Sequence, residues 1–342
     1  MGIHGNATCV LNFDSATGYL VGEPNRGLNC MFTLMNHARL GVAQQGVSHA
    51  EFGFQKSLAY TKERLQGRSL SGPKNPEGPA DPLIVHPDVR RLLLTQKCFA
   101  EGGRAFIFYI AKLLDIVDKS EDAAARKQAD GLLGLLTPIA KAFLTETGVE
   151  SANMAVQCLG GHGLIREWGV EQNLRDARGS CIYEGVTAIQ SLDLLSRKIL
   201  KDKGRNFGVF TDQIKAFCRD HKHVDSVAWQ LAVLSEYCIE WQKLVGQLGA
   251  AAAKNPEELG AAAVDFMMYS GYLVLGYFWA RSAVTAQQAL DGGTTEVEFY
   301  KAKIKTADFY FRRVLPRTRG HVAAMQGGAE TLMALDADHF RF

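Results

Sequence analysis

Apolar residues recur at helical spacing along most of the chain. From about Leu28 onward they return at intervals typical of one face of a helix. The first such stripe consists of Leu40, Val47, Phe54 and Leu58. Small residues lie between them, from Gly41 to Gly53, and leave room for a neighbouring helix to approach closely.

Three further helices are predicted before residue 203. Pro87 stands near the start of the second, after a Gly- and Pro-rich loop at 69–82. We read Thr137-Pro138 as the N-cap and first turn of the third, which ends at Gly160-Gly161. The fourth follows Gly185. Four helices with no intervening strand predict an antiparallel helical bundle.

The two ends of the chain have different patterns. Near the N-terminus Cys9, Leu11 and Phe13 alternate with more polar neighbours, which predicts short strands. After the polar stretch 201–206, four more helical stretches follow. The predicted fold is therefore mainly α, with a β remnant at 1–28, a four-helix bundle at 29–203 and a helical extension at 204–342.

Composition narrows the class of protein. The chain has 342 residues, is 47% hydrophobic and carries a formal net charge of +2. No block of like charge favours nucleic-acid or membrane binding. The seven cysteines are scattered, with none at CxxC spacing, which favours reduced thiols in a cytoplasmic protein and no metal site. The most apolar segment, 266–280, is too short to span a bilayer, so we expect a soluble protein.

Candidate chemistry concentrates between Gln157 and Lys198. A Gly-Gly-x-Gly run lets the backbone approach a ligand closely, yet taken alone it is more often a helix C-cap. A lone Tyr-Glu-Gly is equally ordinary. The combination is more specific. Gln-x-x-Gly-Gly-x-Gly, Arg-Asp-Ala and Ile-Tyr-Glu-Gly, in this order and spacing, resemble the C-terminal signature of acyl-CoA dehydrogenases.

The resemblance covers essentially the whole chain. Residues 1–28 are similar to the last strands of the family's middle β-domain, and residues 35–41 and 60–64 to its first bundle helix. Residues 301–311 and 327–330 resemble the C-terminal extension of the branch that includes 3-methylmercaptopropionyl-CoA dehydrogenase. The thioester 3-methylmercaptopropionyl-CoA is therefore one candidate substrate.

The resemblance implies a role for several residues. Glu184 matches the catalytic base, and Arg64 matches the arginine that reaches the FAD pyrophosphate of a neighbouring subunit. Arg39 and Gly185 lie on the substrate side. The element that holds the ADP part of FAD across the dimer interface comprises Gln157, Gly160, Gly161 and Gly163. A homodimer or tetramer that binds acyl-CoA and FAD is expected, with an unspecified electron acceptor.

The implied reaction is α,β-dehydrogenation of an acyl-CoA. A base removes the weakly acidic α-proton, and burial beside an apolar chain makes a carboxylate more basic. In the family, the N–H of this same glutamate and a flavin hydroxyl bind the thioester oxygen, and the β-hydrogen leaves as hydride to flavin N5. Three departures affect the FAD contacts. Val186 replaces a common Thr, Ala188 replaces Gln, and Gly67-Arg68 replaces Phe-Gly.

Full-length members carry an N-terminal helical domain and a complete β-domain before the point where this chain starts. Three interpretations stay open: a fragment of a longer protein, a truncated gene product, or a subunit completed by another chain. Two functions follow. One is the catalytic part of an FAD-dependent acyl-CoA dehydrogenase; the alternative is a catalytically inactive helical oligomerisation module.

Overall fold

Helices make up nearly all regular structure in the computed structural model, which describes residues 1–341 apart from the side chains of residues 29, 32, 33 and 36. The helices are α1 (Gly27–Glu63), α2 (Pro87–Lys119), α3 (Ala123–Leu159), α4 (Val170–Ser180), α5 (Thr187–Leu192), α6 (Arg205–His221), α7 (Ala228–Lys254), α8 (Glu257–Asp291), α9 (Val297–Phe309), α10 (Thr318–Gln326) and α11 (Glu330–Met333). Single π-helical segments, Asp193–Leu200 and Tyr310–Val314, continue α5 and α9. The mainly helical fold is confirmed.

The strands predicted before α1 are not formed. Across residues 1–341 the β pairing is limited to one isolated bridge, between Leu65 and Pro82. Residues 1–26 form turns and extended chain, and their apolar side chains point outward, with Val10 98% and Tyr19 89% exposed. A pair of strands needs a buried face to be stable, and these residues bury none. The predicted β remnant is therefore wrong as secondary structure.

Helices α1 and α2 run antiparallel, because Gly53 lies beside Gln96 while Val47 lies beside Gly103. Helix α3 packs along both. Where α1 and α3 meet, the missing side chain of Gly46 allows direct backbone contact: a Cβ there would stand 2.2 Å from the carbonyl oxygen of α3 residue 144. The small residues of α1 thus serve a contact within the chain.

Helix α3 begins earlier than predicted. Its N-cap is Asp122, whose Oδ1 accepts a hydrogen bond of 2.8 Å from the Ala124 N–H. Pro138 lies inside the helix and provides no N–H for the ladder. The Thr137 hydroxyl donates to the Leu133 carbonyl at 2.7 Å, which satisfies one acceptor in this turn. The proline was therefore wrongly read as a helix start.

The helices before and after residue 203 share one hydrophobic core. The buried cluster runs from α1 to α10, and α8 enters the first bundle. The rings of Phe143 and Tyr272 meet edge to face with their centroids 4.9 Å apart. The rings of Phe106 and Phe278 stack with their centroids 5.3 Å apart. Trp279 donates to the Cys98 carbonyl at 3.1 Å.

Two long helices have the length and apolar composition of a membrane span. They are the segment Ala123–Leu164, which contains α3, and α8. Their most apolar windows are 83% and 67% buried against the rest of the chain. Burial of this extent is typical of core helices, so the composition alone carries little weight for a membrane.

Candidate functional site

Glu184 and Gly185 occupy a strained turn between α4 and α5. Both have positive φ angles, +59° for Glu184 and +97° for Gly185. Positive φ is uncommon for any residue other than glycine and is tolerated where the surroundings hold it. Two side chains hold this turn. The Gln190 amide donates to the Glu184 carbonyl at 3.0 Å, and Lys141 Nζ donates to the Gly185 carbonyl at 2.7 Å.

The reactive groups of Glu184 are left available. Its side chain is half-buried, and its Oε2 is buried with no hydrogen-bond partner within the described part of the chain. Its backbone N–H likewise has no acceptor in the described part of the chain. Ile182 and Ile189 flank the turn with side chains 53% and 52% exposed. The turn therefore contains an unpartnered acceptor, which is buried, and an unpartnered donor, next to exposed apolar side chains.

Lys141 is a buried cation that sequence reasoning missed. It lies on α3 with no exposed surface. Burial lowers the pKa of Lys141 from 10.5 to about 8, with Arg39 acting in the same direction and Cys181, Glu146 and Glu184 opposing. The available signal was a lysine inside the apolar run Leu135–Leu144.

Arg39, predicted on the substrate side, reaches the same region. Its charge lowers the pKa of Lys141 while that of Glu184 raises it, so both side chains lie within electrostatic range of Lys141. Arg39 also lines a cavity of about 320 Å³ between α1, α3 and the π-helical segment after α5. Asp193 and Lys198 lie on the opposite wall, which is therefore mixed in charge.

The predicted FAD-binding residues gather at a different place, the end of α1 and α3. Arg64 is the exposed C-cap residue of α1 and forms no ion pair with other described residues. Gly160 ends α3 with a φ of +58°, and both Gly160 and Gly161 have open space where a Cβ would stand. Gly163 instead packs on the backbone, where a Cβ would lie 2.5 Å from the Val156 oxygen.

Three aromatic rings connect Arg64's helix to the glycine turn. Tyr60, one turn before Arg64, hydrogen-bonds through its hydroxyl to His162 Nδ1 at 2.8 Å. The His162 ring stacks on Trp168 at 5.0 Å, and Tyr60 meets Trp168 edge to face at 5.2 Å. His162 is thus a packing residue here. Gln157 is exposed one turn before the glycines.

The loop after Arg64 is organised by Asp81, a second residue that sequence reasoning missed. Its buried carboxylate accepts N–H hydrogen bonds from Ser69, Lys74 and Asn75 at 2.7–2.8 Å and pairs with Arg68 at 3.3 Å. These hydrogen bonds lower the pKa of Asp81 to about 2, although burial acts in the opposite direction. The bond from Ser69 contributes most, followed by those from Asn75, Lys74 and Arg68.

The two groups of predicted residues do not meet within one chain. Lys141 beside the Glu184 turn and Gln157 beside the glycine turn both lie on α3. At a rise of ~1.5 Å per residue they are about 24 Å apart along the helix. One chain therefore offers two separate partial sites.

Two family models match the chain. Residues 25–200 match "Acyl-CoA dehydrogenase, C-terminal domain", and residues 210–336 match "Acetyl-CoA dehydrogenase C-terminal like". Two solved structures share the fold, each with a TM-score of 0.67 and 18% identity. One is an acyl-CoA dehydrogenase from Bacillus anthracis complexed with FAD, with 92% of this chain and 51% of that one covered. The other is Caenorhabditis elegans ACDH-11 in complex with C11-CoA, with 85% and 45% covered.

Curated relatives are similar over nearly the whole chain. It is 40% identical to 3-methylmercaptopropionyl-CoA dehydrogenase of Ruegeria pomeroyi, over 92% of the chain and 53% of that protein. It is 33% identical to a broad-specificity linear acyl-CoA dehydrogenase of Mycobacterium tuberculosis, over 99% of the chain and 58% of that protein. The chain thus spans a little over half the length of these relatives. On these matches, the chain belongs to the acyl-CoA dehydrogenase family and corresponds to its C-terminal domains.

Proposed function

We propose that this chain supplies the catalytic base of an FAD-dependent enzyme that dehydrogenates acyl-CoA thioesters between the α and β carbons. The Glu184 turn carries this proposal. It combines a carboxylate oxygen without a partner, a backbone N–H without an acceptor and exposed apolar neighbours. A base for a carbon acid needs that combination, since the proton acceptor and the donor to the developing enolate must face one substrate.

Glu184 removes the α-proton, which ends on its carboxylate. Its own N–H donates to the thioester oxygen, where negative charge develops. The hydrogen bonds from Gln190 and Lys141 fix the carbonyls of the Glu184–Gly185 and Gly185–Val186 peptides, so they orient both groups of Glu184. Bound FAD supplies the acceptor for the β-hydrogen as hydride at N5.

The proposed contact for the ADP part of FAD consists of Arg64, Gln157, Gly160, Gly161 and Gly163. Their arrangement fits such a group. A free guanidinium is available for the pyrophosphate, and the open glycines let backbone N–H groups approach an anion. In the family that the sequence resembles, this element binds the FAD of a neighbouring subunit, so we assign the FAD that it holds to the Glu184 of another chain. The proposed assembly is therefore a homodimer or tetramer.

The substrate proposal is an acyl-CoA with a short or linear acyl chain. The two curated relatives support this class by their names, and 3-methylmercaptopropionyl-CoA is the first candidate to try. Arg39 and Gly185 lie on the proposed substrate side of Glu184. Val186, 40% exposed, adds an apolar surface and provides no hydroxyl for a flavin hydrogen bond.

Anaerobic mixing of acyl-CoA with the purified protein after incubation with FAD tests the function. Loss of the oxidised-flavin absorption, together with a product two hydrogens lighter than the substrate, is the expected result. Stable flavin absorption with 3-methylmercaptopropionyl-CoA and with linear acyl-CoAs would contradict the proposal. A colourless folded oligomer would favour the inactive oligomerisation module.

A further inference from the structure

A second cavity lies away from the Glu184 turn, between α2, the start of α3, α6 and α8. Its volume is about 550 Å³, which is within the range of small-molecule sites. We call it the basic cleft. Three basic side chains, Lys112, His221 and Arg281, are part of its lining, and the lining contains neither Asp nor Glu. Its residues are all different from those of the two partial sites described above.

The two strongest cations of the basic cleft have no acidic partner. Neither Lys112 nor Arg281 forms a salt bridge within residues 1–341. The nearby Lys303 differs, since it pairs with Glu101 at 2.7 Å. Two cations that share a cleft without a carboxylate attract an anion from solution.

Arg281 is also held in place by aromatic rings. Its guanidinium lies over the Tyr277 ring at 5.6 Å and the Tyr109 ring at 6.0 Å. A guanidinium that is already stacked loses less freedom when its N–H groups bind a carboxylate or phosphate. The rings thus preorganise the cation.

A hydrogen-bond relay on the cleft wall leaves one donor unused. The Tyr109 hydroxyl donates to Gln213 Oε1 at 3.0 Å, and Gln213 Nε2 donates to the Tyr277 hydroxyl oxygen at 3.0 Å. The Tyr277 hydroxyl proton then has no acceptor among the described residues, although this residue is only 2% exposed. Buried donors are rarely left unpaired. An acceptor in the cleft would satisfy it.

The remaining wall of the basic cleft is mixed. It combines the aliphatic side chains of Leu113, Ile116, Leu132 and Val284 with the polar side chains of Gln128, Thr285 and Gln288. A bare inorganic anion would leave the aliphatic part of this wall unused. We propose that the basic cleft binds a small organic anion, whose carboxylate or phosphate meets Arg281, Lys112 and the Tyr277 hydroxyl while its apolar group covers the aliphatic wall. This site is independent of the dehydrogenase function proposed above.

Titration calorimetry of the 342-residue chain with phenyl phosphate, benzoate and inorganic phosphate tests the site. We expect saturable binding of one phenyl phosphate or benzoate per chain, and at least about tenfold weaker binding of inorganic phosphate. Whichever organic probe binds more tightly identifies the head group. Arg281→Gln and, separately, Lys112→Gln are each expected to weaken binding about tenfold, which corresponds to one lost charged contact.

Arg219→Gln is the matched control. It removes the same charge from an exposed position on α6, where Arg219 pairs with Asp220 outside the cleft. Binding to this variant is expected to stay unchanged. Thermal melting confirms that each variant folds. Three results would overturn the proposal: no saturable binding, equal binding of inorganic and phenyl phosphate, or equal losses in the Arg219 and Arg281 variants.

Discussion

At the residue scale, the turn at Glu184 depends on a buried charge. Lys141 is fully buried on α3 and gives one hydrogen bond to the Gly185 carbonyl. Burying an ammonium costs free energy, and the lowered pKa of about 8 expresses that cost. The buried ammonium in return donates a hydrogen bond to the Gly185 carbonyl in the strained turn. Lys141 therefore links the helical bundle to the turn.

Replacing Lys141 by Met tests this link through the pH dependence of stability. Unfolded chains keep the Lys141 proton up to about pH 10.5, whereas the folded chain releases it near pH 8. Between these values the unfolded state binds more protons, so this group makes unfolding free energy rise with pH. We expect wild type to gain stability relative to Lys141→Met from pH 8 to 10.5 in urea unfolding.

Comparing wild type with Lys141→Met cancels the contribution of other groups that titrate at alkaline pH. Burial raises the pKa of the Cys238 thiol to about 12, which acts in the opposite direction but equally in both proteins. Lys127→Met, an exposed site on the same helix, is the control and should give a pH-independent difference. A pH-independent difference for Lys141→Met as well would show that Lys141 is not buried in its charged form.

Sequence reasoning reached Glu184 and Gly185 but not the groups that hold them. The order Ile-Tyr-Glu-Gly predicts a turn before a helix, and glycine suits the positive φ at Gly185. The positive φ of Glu184 itself has no sequence signal. Lys141 is 44 residues away from Gly185 along the chain, so only the tertiary fold reveals that it contacts this turn.

At the element scale, the α1–α3 contact relies on absent side chains. A Cβ at Gly46 would stand 2.2 Å from an α3 carbonyl oxygen, while a Cβ at Gly41 would meet nothing within 4 Å. We therefore predict opposite effects on urea unfolding. Gly46→Ala forces the helices apart and should lower the unfolding free energy by about 1–3 kcal/mol. Gly41→Ala should raise it by about 0.5–1 kcal/mol. Similar effects at both sites would refute this packing.

The loop at 64–82 depends on a single side chain, that of Asp81. Its carboxylate collects three backbone N–H groups, which no neutral apolar side chain can do. Asp81→Ala should open the loop and make trypsin cleave rapidly after Arg68 or Lys74. Glu77→Ala, an exposed change in the same loop, should leave cleavage slow. Equal rates for the two variants would contradict the role of Asp81.

Acid should affect the same loop. Because the folded pKa of Asp81 is about 2 against an ordinary value of 3.8, its contribution to stability is complete above pH 3.8. That contribution is lost as the pH falls toward 2. Faster cleavage is therefore expected only at the acid end, with an acid-active protease such as pepsin in place of trypsin.

Helical periodicity predicted the elements well because most helices bury one continuous face. It failed where local chemistry and tertiary context disagree. Pro138 is typical of a first turn, yet α3 continues through it because the surrounding positions are buried in the core. The alternation at Cys9 to Phe13 predicted strand, yet those side chains have no face to pack against.

At the scale of the whole molecule, one core unites helices on both sides of residue 203, while the two partial sites lie about 24 Å apart. The division into units at 29–203 and 204–342 remains a prediction. The proposed pairing of two chains around FAD accounts for the separation, since each chain would complete its neighbour's site. Neither periodicity nor composition could reveal the separation of the two groups of residues.

Arg64→Ala tests the shared cofactor. It removes a charged contact to phosphate and no core packing, because the side chain is exposed. We expect weaker FAD affinity by flavin titration and an unchanged oligomer by light scattering. Arg126→Ala, an exposed change at the opposite end of α3, should alter neither. Unchanged FAD affinity in the Arg64 variant would place the pyrophosphate elsewhere.

The most direct test of the central claim is flavin reduction by the Glu184→Gln variant. Glutamine keeps the size of the side chain but cannot take the α-proton. Anaerobic stopped-flow mixing with acyl-CoA should show bound FAD in both proteins and reduction slowed by at least about 10²–10⁴ in the variant. Glu121→Gln, an exposed change far from the turn, should reduce flavin at the wild-type rate. A near wild-type rate in Glu184→Gln would show that another group removes the proton.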